Sequence, residues 1–416
     1  METFECPESK DIQVDADWKK KTAVFMISQG ISLFGSSMVN YAIIWYITLM
    51  TRSGMIMTIT ILTSFLPQIV ISLFAGVWAD RYNRKMVIIA SDALTALSTL
   101  ALAICFLCGY REIWLIFAAS AMRSAGEGIQ SPAVSAILPQ FVPQDKLMRV
   151  NGLSGSMRSF IMLLSPAAGG WLLAAFSVEA ACFVDVVTAA IAIAILLFLR
   201  VAPHRKAGET QATDTLQDLR QGISYVKSSA MLRRLLIYYA AFFFFISPTA
   251  FLTPLLITRS YGGEVWQLTA NEVLYSGGAV FGGFLMAVWG GFQNRMKTIA
   301  LAFAAYGVSA VLLGISTNFL FYLTVMFFTG IFSPVCYSAE AVLIQENVDN
   351  DMQGRVFSMI DMIILAVMPL GMLLFGPIAD ITKVEYILIA AGIFMVLLGC
   401  SILASKEKQE SVKKGT

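Results

Sequence analysis

Long apolar runs fill most of this chain, and short polar turns separate them. A bilayer core requires about twenty consecutive apolar residues per helix, and the backbone polar groups of such a segment must be bonded within it. This length predicts twelve membrane-spanning helices, near residues 22–50, 55–79, 86–109, 112–138, 150–176, 179–200, 234–258, 271–292, 298–316, 319–344, 355–379 and 384–404. The pattern therefore predicts an all-α integral membrane protein.

An internal repeat divides these helices into two groups of six. The segment VWADRYNR at 77–84 recurs as VWGGFQNR at 288–295, and GIQSP at 128–132 recurs as GIFSP at 330–334. The matching order and the similar spacing predict two pseudo-symmetric six-helix halves, as in transporters whose halves are related by an axis along the membrane normal. The predicted domains are an N-terminal half, a cytoplasmic linker with an amphipathic helix, and a C-terminal half, at 1–200 (tail 1–21), 201–233 and 234–416 (tail 405–416).

Composition and charge agree with lipid as the solvent. Hydrophobic residues make up 57% of the chain and charged residues 13%, whereas about a quarter of a soluble domain is charged. The tails and the loops after even-numbered helices hold most of the 29 lysines and arginines; the opposite loops hold only Arg52, Arg111, Arg259 and Lys383. The positive-inside rule therefore predicts a multi-pass protein of the cell membrane, with both termini in the cytoplasm.

Several classes of function lack their sequence signals. The net charge is only +2, and no basic run carries interleaved aromatic residues, so we expect no nucleic-acid partner. The chain has one histidine and no recognisable nucleophile constellation or Walker sequence, so we expect neither an enzyme nor an ATP-driven pump. Cys105 and Cys108 form a CxxC inside an apolar run without a nearby histidine, and we expect no metal and no cofactor.

The densest charge cluster lies between the second and third helices, in the segment GVWADRYNRK at 76–85. This segment resembles the loop 2–3 signature of the major facilitator superfamily, and Gly76, Asp80, Arg81, Arg84 and Lys85 match that signature. Over nearly the whole chain, the segments SQGISLFGSS, FLPQ, MRSAGEGIQSPA and GRVFS are similar to the macrolide-efflux branch of its drug:proton antiporters. The resemblance implies the twelve-helix major facilitator fold and transport by alternating access.

The resemblance also implies a gating latch at the cytoplasmic face. Asp80 lies at the end of helix 2, where it could face the positive N-terminus of helix 11. Arg81 and Arg84 could bond carboxylates such as Asp361. The alternative is a plain positive-inside anchor, which explains the cations but not Asp80. Asn83 replaces a glycine of the signature, and we expect a left-handed backbone there.

Two charged residues lie one turn apart in the middle of helix 4, Arg123 and Glu127. Arg123 is similar to the helix 4 arginine of the superfamily, which implies a part in proton transfer. Glu127 is absent from that signature; an intramembrane carboxyl could alternately hold a proton and pair with Arg123. The alternative is a permanent ion pair that holds helix 4. The role of Asp185 in helix 6 stays open at this point.

Further motifs indicate an antiporter with an aromatic substrate cavity. SPAAGG in helix 5 resembles the antiporter signature and matches it at Pro166, Gly169 and Gly170. Polar and aromatic residues of helices 1 and 7, together with 21 methionines in the chain, suit a large amphipathic guest. The candidate cavity residues are Gln29, Asn40, Tyr41, Tyr239 and Phe243.

These patterns lead to one functional hypothesis with an alternative in the same class. The leading hypothesis is a secondary active exporter of amphipathic small molecules, macrolide-like or other antibiotics, that exchanges them for protons and acts as a monomer in the bilayer. The alternative is an exporter of an endogenous metabolite such as a siderophore.

Overall fold

The computed structural model describes residues 17–199 and 224–414, with side chains up to residue 404 except at positions 73, 76, 77 and 79–81. Within these ranges the chain forms long α-helices joined by short turns, and no strand is present. The twelve long helices are α1 (Trp18–Thr51), α2 (Gly54–Arg81), α3 (Arg84–Leu107), α4 (Ile113–Ile137), α5 (Leu147–Ala175), α6 (Val178–Phe198), α7 (Ala230–Ser260, interrupted at Leu252), α8 (Val265–Trp289), α9 (Arg295–Ile315), α10 (Phe319–Asn347), α11 (Asn350–Ile381) and α12 (Val384–Lys414). A short helix at 224–228 precedes α7. The predicted all-α fold is confirmed.

Among the described residues, 11 helical segments are long and apolar enough to cross a membrane. The helix outside this group is α4, which carries Arg123, Glu127 and Gln130 along its length. A helix with such groups crosses a bilayer when they face other helices instead of lipid. Arg123 is indeed buried.

The start of α3 differs from the expectation for Asn83. Its backbone is extended, at φ −65° and ψ 110°, and its side chain accepts a hydrogen bond from the backbone N–H of Lys85 at 3.1 Å. The expectation of a left-handed residue was therefore wrong, because asparagine acts here as an N-cap, a role in which it is among the best residues. Asn294 precedes α9 with a similar extended backbone, as the internal repeat would suggest.

The described chain divides into two compact units. The first unit contains residues up to Val39, Thr63–Ser165 and the residues of α6 from Glu179 onward. Its apolar core includes Phe25 and Ile88. The second unit contains Asn40–Leu62, Pro166–Val178 and the described residues of α7 to α12. The ends of α1, α2 and α5 that belong to it therefore pack with the C-terminal helices.

Close helix packing in the second unit depends on small residues. A Cβ added to Gly307 of α9 would lie 2.5 Å from the carbonyl oxygen of Gly392 in α12. Such small-residue seams let helix backbones approach within a membrane. The predicted domain boundaries stay predictions: residues 200–223, which hold most of the predicted linker helix, and residues 1–16 of the predicted tail lie outside the described chain.

Candidate functional site

A buried ion pair lies at the centre of the first unit. Arg123 of α4 donates through Nη1 to Asp185 Oδ2 of α6 and to Thr99 Oγ1 of α3, and Nη2 donates to the Ser36 carbonyl at 3.1 Å. Ser36 Oγ donates to Asp185 Oδ1 at 2.9 Å, and Thr99 Oγ1 donates to Oδ2 at 2.8 Å. The two charged side chains are 3% and 1% exposed. Four helices are thus joined through one satisfied ion pair.

This arrangement assigns Asp185 a partner and separates it from Glu127. Glu127 is half-buried and lies within electrostatic range of Arg123 and Arg158. It forms no hydrogen bond or ion pair with any residue whose side chain the structure describes. The structure therefore places Asp185, and not the predicted Glu127, directly against Arg123.

A second carboxylate network lies beside α1 in the same unit. Asp92 Oδ1 of α3 accepts from Ser32 Oγ and from Gln130 Nε2, each at 2.7 Å. The same Gln130 amide lies 3.4 Å from Gln29 Oε1. Asp92 Oδ2 is buried and has no hydrogen-bond partner among the described residues. Gln29, predicted to orient a substrate, thus belongs to a buried polar network.

The charged loop between α2 and α3 binds helix ends within the first unit. Arg84 donates to the carbonyl of Ala136 in α4. Lys85 Nζ donates to the carbonyls of Leu197 and Leu199 at the end of α6, each at 2.9 Å. Cations stabilise the negative C-terminal ends of helices. These two side chains therefore anchor the loop to α4 and α6.

The rest of the predicted latch has no described geometry. The side chains of Gly76, Asp80 and Arg81 lie outside the described residues, and Asp361 is exposed on α11 of the second unit. The gating role of this cluster stays a prediction. Anchoring accounts for Arg84 and Lys85 but not for Asp80.

Sequence reasoning missed a cluster at the opposite end of α2, which we name the outer clamp: Ser53, Gly54, Met55, Arg259 and Asp380. Asp380 of α11 accepts from Ser53 Oγ at 2.8 Å and from the backbone N–H groups of Gly54 and Met55 at 2.7 and 3.0 Å. Arg259, in the last turn of α7, donates to Asp380 Oδ1 at 3.0 Å. An acidic residue of α11 therefore caps the N-terminus of α2.

The backbones of α2 and α11 touch next to the outer clamp. A Cβ on Gly54 would lie 2.4 Å from the carbonyl oxygen of Gly376, and one on Gly376 would lie 2.0 Å from Thr58 Oγ1. A sequence signal for this site exists: GPIAD at 376–380 repeats the G-x-x-A-D pattern of GVWAD at 76–80. Both segments end a helix with an aspartate near the last turn.

The antiporter-like motif of α5 supports close packing in the second unit. Pro166, Gly169 and Gly170 are buried. A Cβ on Gly170 would lie 1.9 Å from Thr269 Oγ1 of α8 and 2.8 Å from the Trp45 ring of α1. Only glycine permits this approach of α5 to its two neighbours.

The predicted aromatic cavity residues separate into two groups. Tyr239 and Phe243 are 0% and 8% exposed, and the Tyr239 ring packs on Phe303 of α9 at 5.5 Å between centroids. Both belong to a packed hydrophobic core of the second unit, and their predicted role in a substrate cavity stays a prediction. Asn40 and Tyr41 of α1 are half-buried in the second unit.

A large apolar groove lies on the first unit between α1 and α5. Its volume is about 760 Å³, and Gly30, Phe34, Met157, Phe160 and Leu164 are among the residues that line it. A volume of roughly 300–1,000 Å³ and an apolar lining are typical of sites for drug-sized ligands. The groove could hold a large apolar molecule.

Comparison with known proteins gives consistent results. A sequence profile of the Major Facilitator Superfamily matches residues 25–363. The chain is 26% identical over 384 residues to Macrolide efflux protein A of Streptococcus pyogenes, which covers 92% of this chain and 95% of that protein. It is also 26% identical over 322 residues to Macrolide efflux protein A of Enterococcus faecalis, over 77% of this chain and 99% of that protein.

Solved structures show the same fold at low sequence identity. The crystal structure of the nucleoside transporter NupG superposes with a TM-score of 0.70 at 12% identity, over 92% of this chain and 98% of that chain. This likeness supports the twelve-helix architecture.

Proposed function

Because the chain belongs to the Major Facilitator Superfamily, and so is a multi-pass membrane transporter and not an enzyme, we propose that it exports amphipathic small molecules in exchange for protons. The substrates are macrolide-like or other antibiotics, and the transporter works by alternating access in a bacterial plasma membrane. The observation that carries this proposal is the similarity to Macrolide efflux protein A over 92% of the chain.

The apolar groove between α1 and α5 supports a large apolar substrate. Two methionines and two phenylalanines, Met26, Met157, Phe34 and Phe160, are among the residues that line it. Methionine adapts to ligands of different shape, because it is unbranched and polarisable. We assign the apolar body of the substrate to this groove.

The geometry of the first unit supports separate roles for its two acidic residues near Arg123. Asp185 is saturated with hydrogen bonds and neutralises Arg123, so its protonation would break an ion pair that holds four helices. Glu127 forms neither an ion pair nor a hydrogen bond with the described side chains, so it could gain or lose a proton without that disruption. We assign the transported proton to Glu127 and the anchoring of Arg123 to Asp185.

Alternating access requires contacts that close each face in turn. The outer clamp joins α2 to α11 and α7, and the charge distribution assigns it to the outer face. We assign it the role of stabilising the state in which the outer face is closed. The cytoplasmic cluster of Gly76, Asp80, Arg81, Arg84 and Lys85 with Asp361 would serve the opposite state.

Proton exchange supplies enough energy for this task without ATP. A membrane potential contributes about 2.3 kcal/mol per elementary charge per 100 mV, and a tenfold proton gradient contributes about 1.4 kcal/mol. For a substrate without net charge, one proton that enters down both gradients therefore supports a substrate gradient of two to three decades. For a monovalent cation, the one-for-one exchange moves no net charge, so the proton gradient alone supports about one decade per proton.

Efflux from cells tests the proposal. Expression in a pump-deficient bacterium should reduce the steady-state accumulation of a radiolabelled macrolide such as erythromycin, and a protonophore should restore it. Cells with the empty vector are the control. Unchanged accumulation across a panel of amphipathic antibiotics would contradict antibiotic export and favour a transporter of an endogenous metabolite.

A further inference from the structure

A cavity of about 130 Å³ lies among α7, α8, α9 and α10 of the second unit. It is separate from the apolar groove and from the Arg123 ion pair, which belong to the first unit. Polar side chains of its wall are Glu272, Tyr275, Tyr306, Thr249, Thr253 and Thr329. The wall therefore combines one carboxyl group with two tyrosine side chains and three threonine side chains.

Glu272 has no cationic partner in this wall. Its Oε1 accepts from Asn271 Nδ2 at 3.2 Å, and Asn271 Oδ1 in turn accepts from Tyr322 OH at 2.9 Å. No lysine or arginine of the described chain forms an ion pair with Glu272. A carboxylate inside a membrane protein is costly unless a cation or a proton neutralises it. The wall of the cavity therefore holds the Glu272 carboxyl group in position without a cationic partner among the described residues.

A second, independent feature points to a ligand at the same place. Thr249 is 6% exposed, and its buried hydroxyl oxygen forms no hydrogen bond with another described residue. Buried polar atoms normally have a partner. A hydrogen-bonding ligand in the cavity would supply one.

The chemistry of the wall selects for an organic cation. A carboxylate forms charge-assisted hydrogen bonds with a protonated amine, and tyrosine rings attract alkylammonium groups through their faces. The volume is close to that of a cavity of roughly 150 Å³ that holds benzene. The cavity therefore suits a group of a few heavy atoms and is too small for a whole antibiotic.

We propose that the cavity lined by Glu272, Tyr275, Tyr306 and Thr249 binds the protonated alkylamine head group of the exported substrate. This inference rests on the proposed function and specifies its substrate class as amphipathic cations. Glu272 binds the positive charge, and the tyrosine rings pack against the alkyl substituents. The apolar body of the substrate lies outside this cavity.

A pair of ligands that differ only in charge tests the proposal. At neutral pH, where the amine is protonated, we would titrate the purified full-length protein in lipid nanodiscs with N,N-dimethyl-4-phenylbutan-1-amine and with its uncharged carbon isostere, (5-methylhexyl)benzene, by isothermal titration calorimetry. Glu272→Gln should weaken binding of the cation at least tenfold and leave binding of the isostere unchanged. Thr249→Val should weaken cation binding by a smaller factor and serves as a second variant if Glu272→Gln fails to fold.

The matched control is Glu340→Gln, which removes another buried carboxyl group of the second unit that does not line the cavity. It should bind the cation like the wild type. Equal cation affinity in the wild type and Glu272→Gln, or an equal loss in Glu340→Gln, would overturn the site. If either result is found while macrolide efflux is intact, only the proposed site is overturned. If cation binding depends on Glu272 but the protein exports no amphiphile, the proposed function is contradicted.

Discussion

Asp380 caps the first turn of α2 and pairs with Arg259, so Asp380→Ala removes the outer clamp at its centre. The substitution deletes the acceptor for Ser53 and for two backbone N–H groups of α2. It also leaves Arg259 without its carboxylate. If the clamp stabilises the state with a closed outer face, the variant should populate the open state more than the wild type does.

The magnitude follows from the contacts that are lost. Replacement of a helix-capping acidic residue by alanine costs about 1 kcal/mol. Asp380 and Arg259 are each 29% exposed, so their ion pair contributes at most about 1 kcal/mol. A total of about 2 kcal/mol would raise the ratio of open to closed molecules by about 30-fold.

Cysteine accessibility measures this ratio. Thr58 of α2 faces α11, where its hydroxyl group donates to the Met372 carbonyl at 3.2 Å, and it is 2% exposed. A cysteine at this position, in a background without the six native cysteines, should react with an impermeant maleimide only when the outer face opens. Its labelling rate should rise about 10- to 100-fold in Asp380→Ala, since the rate follows the open population.

Glu385→Ala is the matched control for this experiment. It removes a neighbouring carboxylate that accepts from Ser260 and makes no contact with the start of α2, and it should leave the labelling rate at the wild-type value. An unchanged rate in Asp380→Ala, or an equal rise in the control, would refute the reasoning that the clamp closes the outer face.

Three further predictions concern stability, packing and topology. Asp185→Asn should lower the free energy of unfolding by about 3–5 kcal/mol, because Arg123 stays buried without a counter-charge; a thermal unfolding midpoint equal to that of the wild type would contradict this. Gly376→Leu should raise the labelling rate at position 58, since its side chain would collide with α2, and an unchanged rate would count against close packing there. Single cysteines at positions 84 and 295 should label only from the cytoplasm and one at position 52 only from outside; labelling of position 84 from outside would reverse the orientation.

The number of helices was predictable because apolar run length is a property of the sequence alone. Even α4 was identified, although Arg123 and Glu127 lower its hydropathy, since its flanking residues are apolar. The charged turn before α3 was also found, but its conformation was not. Asn83 satisfies an orphan N–H of α3 as a cap, and a residue type alone does not distinguish this role from a left-handed turn.

The partner of Arg123 could not be predicted, because it depends on the packing of helices that are distant in sequence. Helical spacing favours Glu127, one turn away, whereas the ion pair joins residues 62 positions apart. Sequence periodicity does not say which face of α6 points toward α4. The sequence therefore identified Asp185 as a charged residue within the membrane but did not identify it as the partner of Arg123.

Side-chain direction was equally hidden in the aromatic run of α7. Four consecutive phenylalanines cover every face of a helix, and the structure stacks Phe242 on Phe303 at 3.8 Å between centroids. Tyr239 and Phe243 belong to the same hydrophobic core, a burial that residue type alone does not predict. The outer clamp was missed for a different reason: GPIAD preserves the aspartate of GVWAD at 76–80 but not the cations that follow it.

The central claim is that Glu127 carries the proton that drives export. Its most direct test is uptake of radiolabelled erythromycin into inverted proteoliposomes under an imposed proton gradient. The wild type should concentrate the drug, and Glu127→Gln should lose this uphill uptake while it keeps drug binding and downhill exchange, because the amide preserves shape but does not titrate. Uphill accumulation by Glu127→Gln equal to that of the wild type would contradict the account.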